Sequence, residues 1–388
     1  MAKGYRGDIE SIYFIMLIGV DGNEANVKER VGVNTYAYEV LWGLYKLCHK
    51  WEDEHKFVIY LREAPKKFLP KETLSWKYKV LPGKSMWIIR TLMPHLYLAS
   101  EKPALFFTPS HYTPPLAPMP RVCSIMDLGY LKFSGQFRKY DYWQLKLWTA
   151  WSLLVSKCII SISNTTKRDI LEHYPFTKDK VLVTKLGYDA KRFNTKKPIN
   201  AGVVRKKHGL PEKYVLFLST LKPSKNIEGL LVAWQKVSVK FPGYKLVIAG
   251  KKGWMYEQIF EKTGELVVGD SVIFTGFVDE QDKEALVKES ALFVLPSFWE
   301  GFGLDVLSSL ASGVPVVVSN RGGLPEVAGK AGIIVDPENP DDIAGGISSI
   351  LSMSRLEYSK IIKKGLEQAK KFSWEKTAMG TLRILINP

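Results

Sequence analysis

The sequence predicts an α/β protein of two domains, each built on a parallel sheet, with the two sheets facing across a cleft. Three observations predict it. The 388 residues exceed what one ordinary core supports. Short β-branched or aliphatic runs alternate with amphipathic stretches along the whole length, as in βαβ units. A polar, lysine-rich segment beginning at Lys191 interrupts that alternation midway. The boundaries that follow are a first domain over 1–190, a linker over 191–212 and a second domain over 213–371. A last helix over 372–388 is expected to pack back on the first domain.

In the first half, strands are expected at Phe14–Val20, Lys56–Leu61, Leu105–Thr108, Val122–Met126, Cys158–Ile162 and Val181–Lys185. Helices are expected at Thr35–Trp51, Met86–Leu98, Tyr142–Ser156 and Thr166–His173. The second half repeats the pattern, with strands at Tyr214–Ser219, Lys245–Ala249, Ser271–Thr275, Ala291–Leu295, Val314–Ser319 and Gly332–Val335. Its helices are expected at Ile227–Lys240, Met255–Thr263, Gln281–Lys288, Leu304–Ala311 and Asp341–Ser352. Ser373, with Glu375 behind it, reads as one more helix start. There is no short-period repeat and no low-complexity tract.

Composition narrows the function. Hydrophobic residues at 46% and charged residues at 24% are globular proportions. Cys48, Cys123 and Cys158 are odd in number, far apart and in no CxxC pair. That argues against a disulfide framework or a zinc site and suits a reducing compartment. No apolar run reaches the length of a membrane span. The run from Ile12 to Val20 is only strand length and follows Asp8 and Glu10, so it does not read as a signal peptide. A cytoplasmic location is expected. Residues 1–210 carry 34 Lys and Arg against 18 Asp and Glu, while the remainder carries 21 of each. The whole excess of +16 therefore lies in the first half, which favours an anionic partner. No aromatic-basic recognition module accompanies it, so nucleic acid is not the expected partner.

In open parallel sheets, ligands collect at the carboxyl ends of strands. The sharpest candidate is the strand end Leu292–Pro296 followed by Ser297 to Gly323. Glu300 sits there in a loop, then Gly301 and Gly303, then a helix. The glycines let backbone approach a ligand, and the helix start offers unpaired N–H groups to phosphate oxygens. Phosphate would repel Glu300, so that carboxylate should face sugar hydroxyls.

This segment, with its Glu-Gly-Phe-Gly-Leu, resembles the signature of the retaining glycosyltransferases of GT-B architecture known as glycosyl transferases group 1, mannosyltransferases among them. Further stretches resemble the family in its own order: Ser124 to Phe133, Ser163 to Ile170, Leu186 to Phe193, Leu218 to Trp234, Val247 to Trp254 and Phe274 to Leu304. The resemblance implies two Rossmann-like domains and transfer of a mannose- or glucose-like hexose from a nucleoside diphosphate sugar. It implies that Glu300 contacts the donor sugar, helped by the amides of Phe302, Gly303 and Leu304. It also implies that Lys225 neutralises the diphosphate and that Gly32, in a turn after the first strand, meets the donor phosphates. Asp127 belongs to the family's His-Asp pair. No Asp-x-Asp stands at a strand end, so no metal is required, and Asp341-Asp342 reads as a helix start. Leu324-Pro325-Glu326 also fits ordinary helix-start chemistry.

Three positions depart from the pattern. The second glutamate, which should grip the ribose, is Ser308. The histidine before Asp127 is Met126, which offers no strong hydrogen bond. The arginine beside the phosphate lysine is missing, with Thr220 and Ser224 in the places it would occupy. Lys222 could stand in as a point charge without the guanidinium fork. Asp305 and His111 are the nearest substitutes for the lost contacts. The alternative to an enzyme is thus a degenerate member acting as a scaffold or partner subunit. The acceptor is expected to be a glycan or a lipid-linked molecule. Lys84 to Lys102, which mixes aromatics with basic residues, reads either as a helix packed on the sheet or as a point of peripheral contact with an acidic membrane surface. Tyr142 to Val155 reads as core.

Overall fold

The structure, a computed structural model, describes residues 16–50, 55–136, 138–253, 255–266 and 268–388. Asp8, Glu10, the start of the first apolar run, Trp51 and Trp254 lie outside the described residues.

The first domain runs β1 (Met16–Asp21), α1 (Gly32–Lys50), β2 (His55–Leu61), β3 (Trp76–Val80) and α2 (Met93–Leu98), which is entered through a π-helical turn at Ile88–Leu92. It continues with β4 (Leu105–Thr108), β5 (Arg121–Ile125), α3 (Gly129–Lys132), α4 (Lys139–Val155), β6 (Cys158–Ser161), α5 (Asn164–His173) and β7 (Val181–Val183). Its seven strands lie in the order β3-β2-β1-β4-β5-β6-β7, and each neighbouring pair is parallel.

The chain then forms α6 (Ala201–His208), β8 (Tyr214–Leu218), α7 (Ile227–Lys240), β9 (Lys245–Ala249), α8 (Glu257–Glu265), β10 (Val272–Gly276) and α9 (Glu280–Lys288). Next come β11 (Leu292–Leu295), α10 (Leu304–Ala311), β12 (Val316–Ser319), α11 (Leu324–Ala328), β13 (Ile333–Val335), α12 (Pro340–Leu351), α13 (Arg355–Ala369) and α14 (Trp374–Ile386). This second sheet has six strands, again all parallel, in the order β10-β9-β8-β11-β12-β13.

Helices on both faces explain why β4, β6, β11 and β12 are buried at every position and read as unbroken apolar runs. The edge strand β3 lies outside the expectation. Its sequence WKYKV interleaves lysines because it pairs on one side only, with β2.

Residues 191–212, expected as linker, hold α6. Arg205 pairs with Glu289 at 3.1 Å and His208 with Asp282 at 3.0 Å, which ties this helix to α9. Polar composition here marks an ion-paired helix. Helix α13, also unanticipated, starts at a capping box made by Ser354 and Glu357. Ser373 caps α14 by accepting from the Lys376 amide. That helix packs on α1, and Thr377 Oγ1 donates to the Lys185 carbonyl at 2.6 Å. The backbones crowd at this point: a Cβ on Gly187 would lie 2.0 Å from the Trp374 nitrogen.

One of two aromatic stretches departs from expectation in its burial. In the stretch from Lys84 to Lys102, Trp87, Leu92 and Leu96 are buried in a cluster with Phe106, while Met86, Tyr97 and Leu98 stay exposed. In the stretch from Tyr142 to Val155, only one side of α4 is core. Leu153 is fully buried, yet Trp143, Leu147, Trp151 and Leu154 are exposed.

Candidate functional site

In each sheet the strand order reverses direction once, at β1/β4 in the first and β8/β11 in the second. Loops diverge at such a point and leave a crevice beyond the carboxyl ends of the strands. The second-domain crevice is flanked by the segment after β8, which carries Lys222 and Lys225, and by the segment after β11, which carries Ser297 to Gly303.

Lys225 closes a 3-10 turn, Pro223–Lys225, and the chain leaves it through Asn226 at φ 55°. Asn226 holds that left-handed backbone by donating from Nδ2 to the carbonyls of Pro296 and Pro337, at 3.1 and 2.6 Å. The Phe298 amide donates to the Ser224 carbonyl at 2.9 Å. The two loops are thus bonded together, and Lys225 Nζ meets Glu300 Oε1 in an ion pair. Ser297 Oγ donates to the same oxygen at 3.1 Å. The side chains of Lys225 and Glu300 are only 11% and 16% exposed. Shielding from water strengthens the attraction and makes either charge costly to leave alone.

Glycines behind Glu300 fix its backbone. Gly322, at φ 63°, follows β12, and a Cβ there would lie 2.3 Å from the Glu300 carbonyl oxygen. The Gly323 amide donates to that oxygen at 2.8 Å. Gly303, at φ 109°, then turns the chain into α10. The first amides of α10 have no partner within the helix and carry its positive end. Phe302 is buried edge-on against Phe372, ring centroids 5.7 Å apart, so its amide rather than its ring is available. Leu304 opens the helix, and Ser308 lies one turn further in, buried. Lys222 stands nearby. Burial and the neighbouring Lys225 push its ammonium below the usual lysine range, against the opposing pull of Glu300 and Asp127. Burial raises Asp305, in the first turn of α10, and Lys283 opposes this.

The first domain closes over this crevice. A Cβ on Gly301 would lie 2.4 Å from the Met126 carbonyl oxygen and 3.0 Å from Asp127 Cβ. The structure therefore brings Asp127 to the Glu300 loop, with its Oδ1 accepting from the Gly129 amide at 2.8 Å. Trp299 packs against Gly129, and Lys132 Nζ sits 3.8 Å from its ring centroid. Ser163 Oγ donates to the Gly301 carbonyl at 2.7 Å, and Thr165 Oγ1 to that of Gly322 at 3.0 Å. Glu326 reaches across too: it accepts from the backbone and side chain of Asn164 at 2.9 and 2.8 Å and pairs with Lys185 at 2.7 Å. Its role is to lock the domains at the start of α5. Sequence reasoning placed Glu326 at a helix start and had no signal for partners 141 and 162 positions away.

Other expected residues stand apart. Gly32 is the first residue of α1, exposed, with no atom within 4 Å of an added Cβ, so sterics alone do not require glycine there. His111, after β4, stacks on Tyr112 at 4.0 Å, and burial pushes its imidazole down to about 4. It is neutral at pH 7, and its Nε2 has no hydrogen-bond partner among the described residues. Thr220 and Ser224 offer no charge in the place of the missing arginine. Asp341 and Asp342 lie in the first turn of α12, where Asn339 accepts from both of their amides.

The sequence reading missed an aromatic cluster at the carboxyl edge of β9 and β10. Phe260 and Phe274 lie 4.6 Å apart, Tyr256 packs edge-on against Phe260, and Lys252 Nζ is 4.7 Å from the Tyr256 ring. The density of aromatics after Ala249 was the available signal. A cavity of about 360 Å³ lies between Gly135 of the first domain and Pro223, Glu228, Met255 and Phe298 of the second. Among the described residues, no helix is long and apolar enough to cross a membrane, and no cluster of potential metal ligands occurs.

Residues 203–368 match the family described as Glycosyl transferases group 1. O-antigen chain mannosyltransferase B of Escherichia coli is 33% identical over 234 residues, 60% of this chain and 61% of that protein. The chain therefore spans about three fifths of that relative's length. Anabaena Alr3699/HepE, solved in complex with UDP and glucose, superposes with a TM-score of 0.71 at 16% identity over 96% of this chain and all of that one. Sucrose-phosphate synthase from Thermosynechococcus elongatus superposes with a TM-score of 0.73 at 18% identity, covering 96% of this chain and 98% of the other. These likenesses show the fold: two Rossmann-like domains facing in the GT-B arrangement.

Proposed function

We propose that this chain, whose residues 203–368 belong to the glycosyl transferases group 1 family, moves a mannose- or glucose-like hexose from a nucleoside diphosphate sugar to a hydroxyl of a glycan or lipid-linked acceptor, with retained anomeric configuration. The observation that carries the proposal is the meeting of Lys225 and Glu300 beside the opening turn of α10. That meeting sets a cation, a carboxylate and unpaired amides at one switch point.

In this reading the diphosphate takes Lys225 as its counter-ion and docks on the amides of Gly303 and Leu304. Glu300, released from Lys225, turns to the sugar hydroxyls. As the bond from the anomeric carbon to the phosphate oxygen breaks, the charge growing on the diphosphate is held by Lys225, by the amides and by Lys222. The proton of the acceptor hydroxyl leaves on that same oxygen. These groups can hold the charge without a metal. The aromatic cluster at Tyr256, Phe260 and Phe274 stands at the sheet edge where a base would stack. The basic first domain, with Asp127 at the seam, faces the acceptor. Gly32, at the start of α1, is the first domain's approach to the donor phosphates, and Ser308 lines the ribose side in place of a charged acceptor.

A thermal-shift panel of UDP-, GDP- and ADP-sugars on the wild type and Glu300→Ala tests this. One stabilising donor, lost in the variant, is the expected outcome. Silence toward every nucleotide would instead favour a scaffold that keeps the fold without the chemistry. The specific observation behind that second reading is that Ser308, Met126 and Thr220 each weaken a separate contact of the same site.

A further inference from the structure

We propose that the outward face of α4 is a docking surface for an acidic lipid bilayer. Tyr140, Trp143, Leu147, Trp151 and Leu154 follow one another at spacings of three and four residues, which places all five on one side of the helix. All are 45–78% exposed, while Thr149, Ser152 and Leu153 on the opposite side are buried. A helix in a globular protein turns such a stripe inward. Here the inward side is already filled by Tyr142, Leu145, Trp148 and Leu153, which pack on the core, so the outward stripe is a second apolar face that nothing among the described residues covers.

The patch continues beyond the helix. Trp151 Nε1 donates to the Pro115 carbonyl at 3.3 Å, which satisfies its polar edge and sets exposed Leu116 beside it. The turn Pro175–Thr177 packs against α4 and adds exposed Phe176. An apolar area built from two tryptophans, a tyrosine, leucines and a phenylalanine is large for a surface that stays in water.

Charge decides what covers it. Lys146 Nζ lies 5.0 Å from the Trp143 ring centroid. Lys180 Nζ caps the end of α4 by donating to the Leu154 carbonyl at 3.2 Å. Lys139 and Lys157 are exposed at its two ends. Lysine is depleted in the centres of protein–protein interfaces. It is favoured around membrane-seated aromatics, where its alkyl stem lies along apolar surface and its ammonium meets anionic head groups. Each such lysine near an acidic surface strengthens partitioning roughly fivefold. The whole +16 excess of the chain lies in the half that carries α4. The inference deepens the reading of a lipid-linked acceptor but rests on exposure and charge alone: α4 packs against α3, the element that follows Asp127.

The test is flotation of the full chain with phosphatidylglycerol-rich vesicles and with phosphatidylcholine vesicles. Binding to the first alone, released by salt, is expected. Trp143→Ser/Leu147→Ser/Trp151→Ser should weaken it at least about tenfold with the melting temperature unchanged. Lys139→Glu/Lys146→Glu, which leaves the apolar face intact, should do so by a similar factor. Absence of flotation, or flotation unaffected by both variants, overturns the proposal. So does a dimer seen in sedimentation that the triple variant abolishes, because the face would then be covered by a second copy. Loss of vesicle binding with the sugar-nucleotide response intact removes this surface alone. Vesicle binding without any nucleotide response removes the transferase reading alone.

Discussion

The two switch points of this molecule share a topology and differ in chemistry. Beyond β8 and β11 of the second domain stand Lys222, Lys225 and the free amides of α10, with Glu300 as the one paired carboxylate. Beyond β1 and β4 of the first domain stand Asp21, Asn23, Glu24 and His111. There Asn34 donates to Glu24 at 2.6 Å and Asn23 to Asp21 at 2.7 Å. Burial raises the carboxyls of both Asp21 and Glu24. The first crevice thus offers carboxyls and amides engaged in hydrogen bonds, and the second offers cations and unpaired amides. In the proposed reading, that contrast would set a hydroxyl-bearing acceptor on the first side and a phosphorylated donor on the second. The difference comes from side chains on loops, because the sheets are alike.

The largest expected effect falls on the carboxylate of the second crevice. Glu300→Gln keeps size and removes charge, and sugar transfer should fall by about 10²–10³-fold in kcat/KM. Wild-type turnover in that variant would dissolve the assigned role. Lys225→Ala comes next, on stability. Stranding Glu300 in a half-dry site should cost about 3 kcal/mol, while Lys225→Met/Glu300→Met, which removes both charges, should cost clearly less. Denaturant titration of the two variants reads the contrast, and equal losses would show that the pair is not energetically coupled. Ser308→Glu should tighten donor binding by roughly tenfold through charged hydrogen bonds to the ribose. Calorimetry that shows weaker binding would mean that Asp305, one turn away, already fills that place.

The first crevice should respond differently. Glu24→Gln should raise the acceptor KM by roughly tenfold and leave the donor Kd in place; a shift in donor affinity would erase the division of labour. The smallest effect concerns Glu39 on α1, whose carboxyl is pushed up to about 7 by burial and by Asp189, against Lys46 and Arg30. A raised carboxyl stabilises the fold below its unfolded value and loses that contribution as pH rises through about 7. Glu39→Gln should therefore melt higher than wild type by a few degrees above neutrality, and the gap should close in acid. A gap independent of pH would place the effect elsewhere.

Much of the fold could be read because parallel strands covered on both faces are continuous apolar runs; Leu105–Thr108 and Lys245–Ala249 fall where expected. The misses share a cause. WKYKV at the sheet edge keeps its lysines, and the ion pairs of α6 are formed with α9, more than seventy residues away, so local composition points to coil. In the site, Glu300 could be placed beside a helix start from its loop alone. Its partnership with Lys225 could not, since it depends on β8 and β11 becoming neighbours. The outward turn of α4 was misread for a related reason: apolar periodicity shows that a face exists, not which way it points.

The seam between Gly187 and Trp374 has a mechanical consequence. The chain leaves the first domain after β7 and returns to it at α14, and these two crossings lie side by side. A single tether would let the halves swivel like a ball in a socket. Two adjacent tethers form the pin of a door: the second domain can swing open about that line, and twisting across it is resisted by covalent bonds. Such a swing would break the Ser163 and Thr165 hydrogen bonds and the Asn164–Glu326 contact and would lift Trp299 off Gly129 and Lys132, all of which reclosure would restore.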